Sequence, residues 1–216
     1  MSDYAKGVEL DQFWTRPKLA RALVEWAGVC EGDRVLEPSC GDGSLVRHVP
    51  DHAGEIMAMD LDGDVFAKWD RDLIGRVDAG EIEFVGGDFL KWRAPRDAFG
   101  LVIMNPPYGF VGSGRSRQAA DRLHVQHALR MAPRVVVLAR ANFLWGQERY
   151  QHIFRWSRLT RMAVLVHRPS FVGPALLPGQ DAARHDFGVF EFRRGRCGDR
   201  RCDTPEVEFW TQDWRG

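Results

Sequence analysis

The chain has 216 residues, 44% hydrophobic and 28% charged, enough for one globular domain with a sizeable core and too few for two full ones. Its 30 basic and 30 acidic residues cancel, which argues against a uniformly basic nucleic-acid binder, and 22 glycines with 11 prolines exclude collagen-like and low-complexity chains. No stretch approaches the roughly 18 apolar residues of a membrane span, and the first residues carry no apolar leader, so no membrane and a cytoplasmic location are expected.

Leu19, Ala22, Leu23 and Trp26 form a helical stripe, with Pro17 in the opening turn, where a missing N–H is harmless. Arg34–Glu37 predicts a strand closed by Pro38, Ser44–Val49 the start of a helix, and Ile56–Met59 the next strand. Val65, Trp69, Leu73 and Val77 fall four apart and predict a helix; Ile82–Val85 and Leu101–Met104 read as strands. A helix around 117–131 precedes the apolar run Val135–Ala139. Tyr150, Ile153, Phe154 and Ser157 share a helical face, Met162–Val166 predicts a strand, and Phe187, Val189 and Phe192 belong to a last one. Short apolar runs alternating with helices indicate an α/β fold: a Rossmann-like, doubly wound, mainly parallel seven-stranded sheet with helices on both faces. It is expected as a single domain over 1–216, with its core at about 13–192, a tail over 193–216 and no separate target-recognition domain.

Such sheets bind ligands at the carboxyl ends of their strands. The first strand runs into Glu37-Pro38-Ser39-Cys40-Gly41-Asp42-Gly43, where Gly41 and Gly43 suit a tight turn against a ligand, or an ordinary strand–helix connection. The second ends at Asp60, an acceptor for a ribose diol or a helix N-cap. The third ends near Asp88-Phe89, an acid and an aromatic suited to an adenine amino group and its ring. Together these describe an adenosine-bearing cofactor. The fourth strand ends in Asn105-Pro106-Pro107-Tyr108: a side-chain carbonyl acceptor, two prolines that fix the backbone, and a flat ring with a polar tip.

In this order the motifs resemble those of class I S-adenosylmethionine-dependent methyltransferases, and specifically the gamma-type N6-adenine DNA methyltransferases. Phe13-Trp14-Thr15-Arg16-Pro17 corresponds to the N-terminal aromatic-Thr-Pro motif of that family, with Arg16 inserted. The resemblance implies S-adenosyl-L-methionine as cofactor, held by Phe13, Thr15, Glu37, Pro38, Gly41, Asp60, Leu61, Asp88, Phe89 and Asn105. It implies catalysis at Asn105, Pro106, Pro107 and Tyr108, with no metal. Asn105 and the Pro106 carbonyl would accept the two N–H bonds of an adenine amino group, and Tyr108 would stack on the base. Phe171 is a second candidate clamp, or else a packing residue of its loop.

Residues 1–108 hold 12 basic and 20 acidic residues; residues 109–216 hold 18 and 10. The second half therefore suits an anionic partner or is simply a solvated surface. Arg115 and Arg117 lie in a Gly-rich segment directly after the catalytic tetrapeptide, where they suit phosphates. DNA is the first expected substrate. N6-adenine methylation of structured RNA comes second; glutamine methylation in a protein and a non-catalytic partner subunit come after it. The short tail is too small to read a target sequence, so a partner subunit or homo-oligomer is a further expectation. Cys197 and Cys202, even with His185, supply too few ligands for zinc.

Overall fold

The apolar runs become the middle of one eight-stranded sheet. The computed structural model describes residues 12–112, 118–174, 185–195 and 204–214. Its strands are β1 (Trp14–Thr15), β2 (Arg34–Glu37), β3 (Glu55–Asp60), β4 (Ile82–Gly86), β5 (Leu101–Met104), β6 (Phe110–Val111), β7 (Gln118–Ala119), β8 (Arg134–Arg140), β9 (Ser157–Leu165), β10 (Phe171–Val172), β11 (Phe187–Arg194) and β12 (Glu206–Trp210). The large sheet runs β12-β9-β11-β8-β5-β2-β3-β4. From β8 to β4 all neighbours are parallel; β11 is antiparallel to β8 and β9, and β12 pairs parallel to β9. The chain winds one way from β2 through β3 to β4, then the other way through β5 to β8. The reversal opens a crevice at the carboxyl ends of β2 and β5.

All four residues of β5 are buried, as are Val135–Ala139 of β8, because both faces of the sheet are covered. Leu101 and Ile103 join the core beneath α1 (Pro17–Ala27) and α2 (Arg71–Asp78); Val102 and Met104 join the core beneath α3 (Ala120–Met131). In α1, Leu19, Leu23 and Val24 are buried, each contributing about 1.5–3 kcal/mol. Gly28 ends that helix in the left-handed conformation at φ 59°.

Several elements differ from the sequence expectation. The helix expected from Ser44 is a single 3-10 turn, Val46–His48. The row Val65–Val77 splits into a 3-10 segment, Gly63–Lys68, and α2, because Asp70 turns extended and accepts a hydrogen bond from Leu73 N at 3.0 Å as an N-cap. Tyr150–Phe154 is a π-helical turn continuing the short α4 (Gln147–Arg149), and Ser157 already belongs to β9. The eighth strand, β12, comes from the tail; Trp210 packs edge-on to Trp26 at 6.1 Å, and Trp214 is buried beside it.

Glu191, in β11, is fully buried. Burial alone would push its carboxyl up, but hydrogen bonds from Arg161 (2.7 Å), Thr160 (2.7 Å) and Arg193 (2.9 Å) bring it down to about 2. The Arg161 guanidinium also lies 4.3 Å from the Trp26 ring, tying β9 and β11 to α1.

Candidate active site

The turn after β2 is braced from within. Glu37 is buried and accepts from Val46 N at 2.9 Å. Asp60, at the end of β3, accepts from Gly41 N and from Asp62 N, both at 2.9 Å. The N-cap role considered for Asp60 falls to Asp62, which accepts from Asp64 N at the head of the Gly63–Lys68 segment. Gly41 sits at φ 52°, and a Cβ there would lie 2.5 Å from Trp14 Cδ1, so only glycine lets the indole cover this turn. Burial raises Glu37 and Asp60 above the usual carboxylate range, and the charge of Asp60 pushes Glu37 further the same way.

A pocket of about 320 Å³ opens at these strand ends. Pro38, Gly41, Asp60 and Leu61 line one side; Asp88, Phe89 and His124 another; Phe13, Trp14, Asn105 and Pro107 a third. Asp88 accepts from Leu90 N at 3.0 Å and pairs with Lys91 at 3.1 Å. Phe110, exposed on the β6–β7 hairpin, forms part of the mouth. Trp14 contributes a buried indole N–H with no hydrogen-bond partner among the described residues, a donor left for a ligand acceptor. Buried acids, an acid beside an aromatic and an unused donor are a set that fits a sulfonium-bearing adenosine derivative.

Asn105 is fixed in one orientation. Its Nδ2 donates to Phe13 O and to Thr15 Oγ1, both at 3.0 Å. Phe13 O can only accept, so the amide nitrogen must face it, and Oδ1 is the acceptor on the opposite side. That oxygen takes a hydrogen bond from the Tyr108 hydroxyl, which also lies 3.1 Å from Leu138 O. The Tyr108 ring is buried, 5.4 Å from Phe187 and 6.4 Å from Phe171. Arg140 lies 5.1 Å over that ring and donates to Tyr108 O at 2.6 Å. Phe171 is buried and pairs with Thr15 between β1 and β10, so the N-terminal motif, the Asn105–Tyr108 turn and this aromatic meet in one place. Neither Tyr108 nor Phe171 presents an open ring face to the pocket wall. Pro106 is buried and Pro107 lines the pocket. Arg115 and Arg117 lie outside the described residues, as do Cys197 and Cys202. No cluster of metal-ligating side chains occurs among the described residues. No helix among them is long and apolar enough to cross a membrane.

No family model matches the chain. Over 113 residues, half of this chain, it is 34% identical to the Type II methyltransferase M.TthHB8I of Thermus thermophilus, spanning 23% of that protein. Over 96 residues, 44% of this chain, it is 35% identical to the probable ribosomal RNA small subunit methyltransferase A of Methanopyrus kandleri, spanning 33% of its length. A putative RNA methyltransferase from Pyrococcus horikoshii matches in structure over 88% of both chains, with a TM-score of 0.65 at 20% identity. The fold is that of the class I S-adenosylmethionine-dependent methyltransferases. Fold and relatives together indicate S-adenosyl-L-methionine as the cofactor.

In this methyltransferase fold three residues around the site carry no motif signal of their own. Trp14 lies between two motif residues, and its glycine partner is 27 positions away. His124 follows Ala120 by one helical turn, a spacing that could have placed both on one wall. Its Nδ1 lies 2.8 Å from Ala120 O, which can only accept, so Nδ1 carries the proton and Nε2 is the acceptor. Burial lowers this imidazole to about 4, so it is neutral at pH 7. Arg140 ends β8, and its position against Tyr108 depends on the β5–β8 pairing.

Proposed function

We propose that this chain is an S-adenosylmethionine-dependent methyltransferase acting on the exocyclic N6 amino group of adenine in structured RNA. The fixed Asn105 amide carries the chemical part of this reading. An adenine amino nitrogen is a poor nucleophile because its lone pair conjugates with the ring. Asn105 Oδ1 and the Pro106 carbonyl accept its two N–H bonds and draw the nitrogen toward tetrahedral geometry. Because Phe13 and Thr15 already hold the amide, these dipoles are in place before positive charge develops on the nitrogen. The methylated nitrogen is left positively charged and gives up one N–H proton to solvent, so no strong general base is needed.

When bound, the cofactor supplies an electrophilic methyl group on a positively charged sulfur. Asp60 would accept from its ribose hydroxyls, Asp88 from its adenine amino group, and Leu61 and Phe89 would cover the ring. Glu37, Pro38, Gly41, Phe13 and Thr15 shape the remainder. Tyr108 stacks on the target base once its hydroxyl releases Asn105 Oδ1 and its ring turns out from beside Arg140 and Phe187, while Arg140 keeps hold of the turn through Tyr108 O. Phe171 is the second aromatic of that surface, and Arg115 with Arg117 contact phosphates.

RNA is favoured over DNA because RNA is the polynucleotide named in the Methanopyrus and Pyrococcus proteins above. DNA is the second reading, favoured by the Asn105–Tyr108 tetrapeptide and its likeness to the gamma-type enzymes. A partner subunit for target recognition is compatible with both, and the cytoplasm is the proposed location. The test is methyl-labelled cofactor incubated with separate pools of ribosomal RNA, transfer RNA, duplex DNA, single-stranded DNA and protein. Label in RNA adenines supports the reading. Label confined to DNA moves the enzyme to the second reading, and label in protein or in no pool refutes both.

A further inference from the structure

We propose that a second cavity, at the far end of α3, binds the phosphate backbone of the polynucleotide whose adenine enters the strand-end pocket. This rests on the proposed function, because it takes the substrate to be a nucleic acid.

One helix connects the two places. Ala120 N donates to Gly109 O at 3.0 Å, which ties the start of α3 to the catalytic turn, and Ala120 and His124 line the strand-end pocket. Gln126, Leu129 and Arg130, from the last turns of the same helix, line a separate cavity of about 440 Å³. Arg96 precedes β5, Arg194 ends β11, His152 belongs to the π-helical turn and Trp156 stands just beyond its end; these complete the wall. The 12 residues of α3 span about 18 Å at 1.5 Å each. At the rise of about 3.4 Å per nucleotide of a B-form strand, that length is roughly five steps.

The chemistry of the wall is that of a backbone site. Three guanidiniums line the cavity, with Asp97 beside them and Glu148 standing 3.4 Å from His152 Nε2. Asp97 pairs with Arg194 and lies 3.7 Å from Arg96, while Arg130 has no ion-pair partner among the described residues. Arg194 is immobilised by Asp97 and by Leu129 O at 3.1 Å, so its charge is held in place rather than left on a free chain. Arg96 and Arg130 are exposed and able to close on an anion. Gln126 spends its carbonyl oxygen on Arg122 Nη1 at 3.1 Å, which leaves its N–H₂ to donate. Trp156 is half exposed; its indole N–H is tied to Gln151 O at 3.1 Å, and the Arg155 guanidinium lies 5.5 Å from the ring. A ring held at its edge beside excess cations suits a strand, with phosphates on the arginines and a base on the indole. An acidic peptide would use the cations and leave the indole without a role.

The experiment uses the full chain and three forms: the wild type, the double variant Arg96→Ala with Arg130→Ala, and Trp156→Ala. Binding of labelled RNA strands of about 20 and about 4 nucleotides is measured by fluorescence anisotropy across a salt series. Calorimetry with S-adenosylhomocysteine and a thermal melt check the cofactor pocket and folding. The double variant should bind the long strand about tenfold more weakly, and its slope of log K against log salt should flatten by about 1.4, two contacts at about 0.7 each. The short strand, the cofactor product and the melt should be unchanged. Trp156→Ala should weaken the long strand by several-fold without changing the slope.

Wild-type binding of the long strand with unchanged variants overturns this proposal and leaves the proposed function standing. An equal loss for both strand lengths overturns it too, because the arginines would then serve the catalytic end. Adenosine monophosphate that competes as well as the long strand makes the cavity a mononucleotide site, which also overturns it. A wild type that binds neither RNA strand overturns the proposal together with the RNA reading of the function.

Discussion

Replacing Asn105 by Ala removes both halves of one amide, and the two halves have separable costs. The Nδ2 half serves Phe13 O and Thr15 Oγ1, each at 3.0 Å. At about 0.5–1.5 kcal/mol net per hydrogen bond, their loss costs about 1–3 kcal/mol of stability. For a chain of this size that lowers Tm by about 2–4 °C per kcal/mol. The Oδ1 half holds the Tyr108 hydroxyl at rest, which adds to the stability cost, and serves catalysis when charge develops on the target nitrogen. Loss of one such prearranged dipole lowers kcat by about 10²–10³-fold. Single-turnover methyl transfer at saturating cofactor reads the second cost, a thermal melt reads the first, and calorimetry should find cofactor affinity largely intact. Thr15→Val grades the effect: Phe13 O still holds the amide, so about 1 kcal/mol of stability is lost and kcat falls only a few-fold. An Asn105→Ala enzyme whose kcat stays within about threefold of wild type would end the catalytic role of Asn105, since an amide merely bracing β1 would show the melting loss alone.

Asp60→Ala should weaken cofactor binding by about ten- to a hundredfold in calorimetry, because it removes a charged acceptor and frees Gly41 N; unchanged affinity would remove Asp60 from the ribose role. His124 is depressed from 6.5 to about 4 by burial, so the stability it contributes is complete above pH 6.5 and is lost as pH falls through about 4. His124→Phe should therefore flatten the acid limb of a Tm–pH profile between those values, and a variant with the same limb as wild type would place the titration elsewhere. Glu191 is also depressed, from 4.5 to about 2, so its contribution is complete above pH 4.5 and is lost as pH falls toward 2. At pH 7, Glu191→Ala should cost about 3–5 kcal/mol in denaturant unfolding, because it strands the Arg161 charge; a loss below about 1 kcal/mol would mean that Arg161 finds its support on Trp26 alone.

The parallel half of the sheet is legible in the sequence because β5 and the middle of β8 are buried on both faces and read as unbroken apolar runs, with the Val35–Leu36 pair of β2 beside them. The strand-end acids come with that placement. β12 is hidden because only part of Glu206–Trp210 is covered: Val207 and Phe209 face solvent, and the strand is held by the Trp26–Trp210 contact and by Glu208, which accepts from Trp26 Nε1 at 2.8 Å. The break at Asp70 interrupts a perfect four-residue spacing with a local cap that periodicity does not register. At the site, residue types are readable and side-chain directions are not. Asn105 stands out by its motif, yet its orientation depends on Phe13 and Thr15, about 90 residues away. Tyr108 carries the right ring, but Phe171, Phe187 and Arg140 decide which way it faces. The acidic and basic halves have partial explanations in the fold: buried acids line the β2–β3 turn, and excess arginines surround the far end of α3.

If Asn105 and Pro106 present an adenine amino nitrogen to the bound cofactor, the methylated atom itself reports it. RNA and DNA treated with the enzyme and isotope-labelled S-adenosylmethionine are digested to nucleosides, and the labelled product is resolved by mass spectrometry against methylated standards. Label is expected on N6 of adenine, and Asn105→Ala should slow its appearance by about 10²–10³-fold. Label on a ring nitrogen, on a ribose oxygen or on another base would contradict this chemistry.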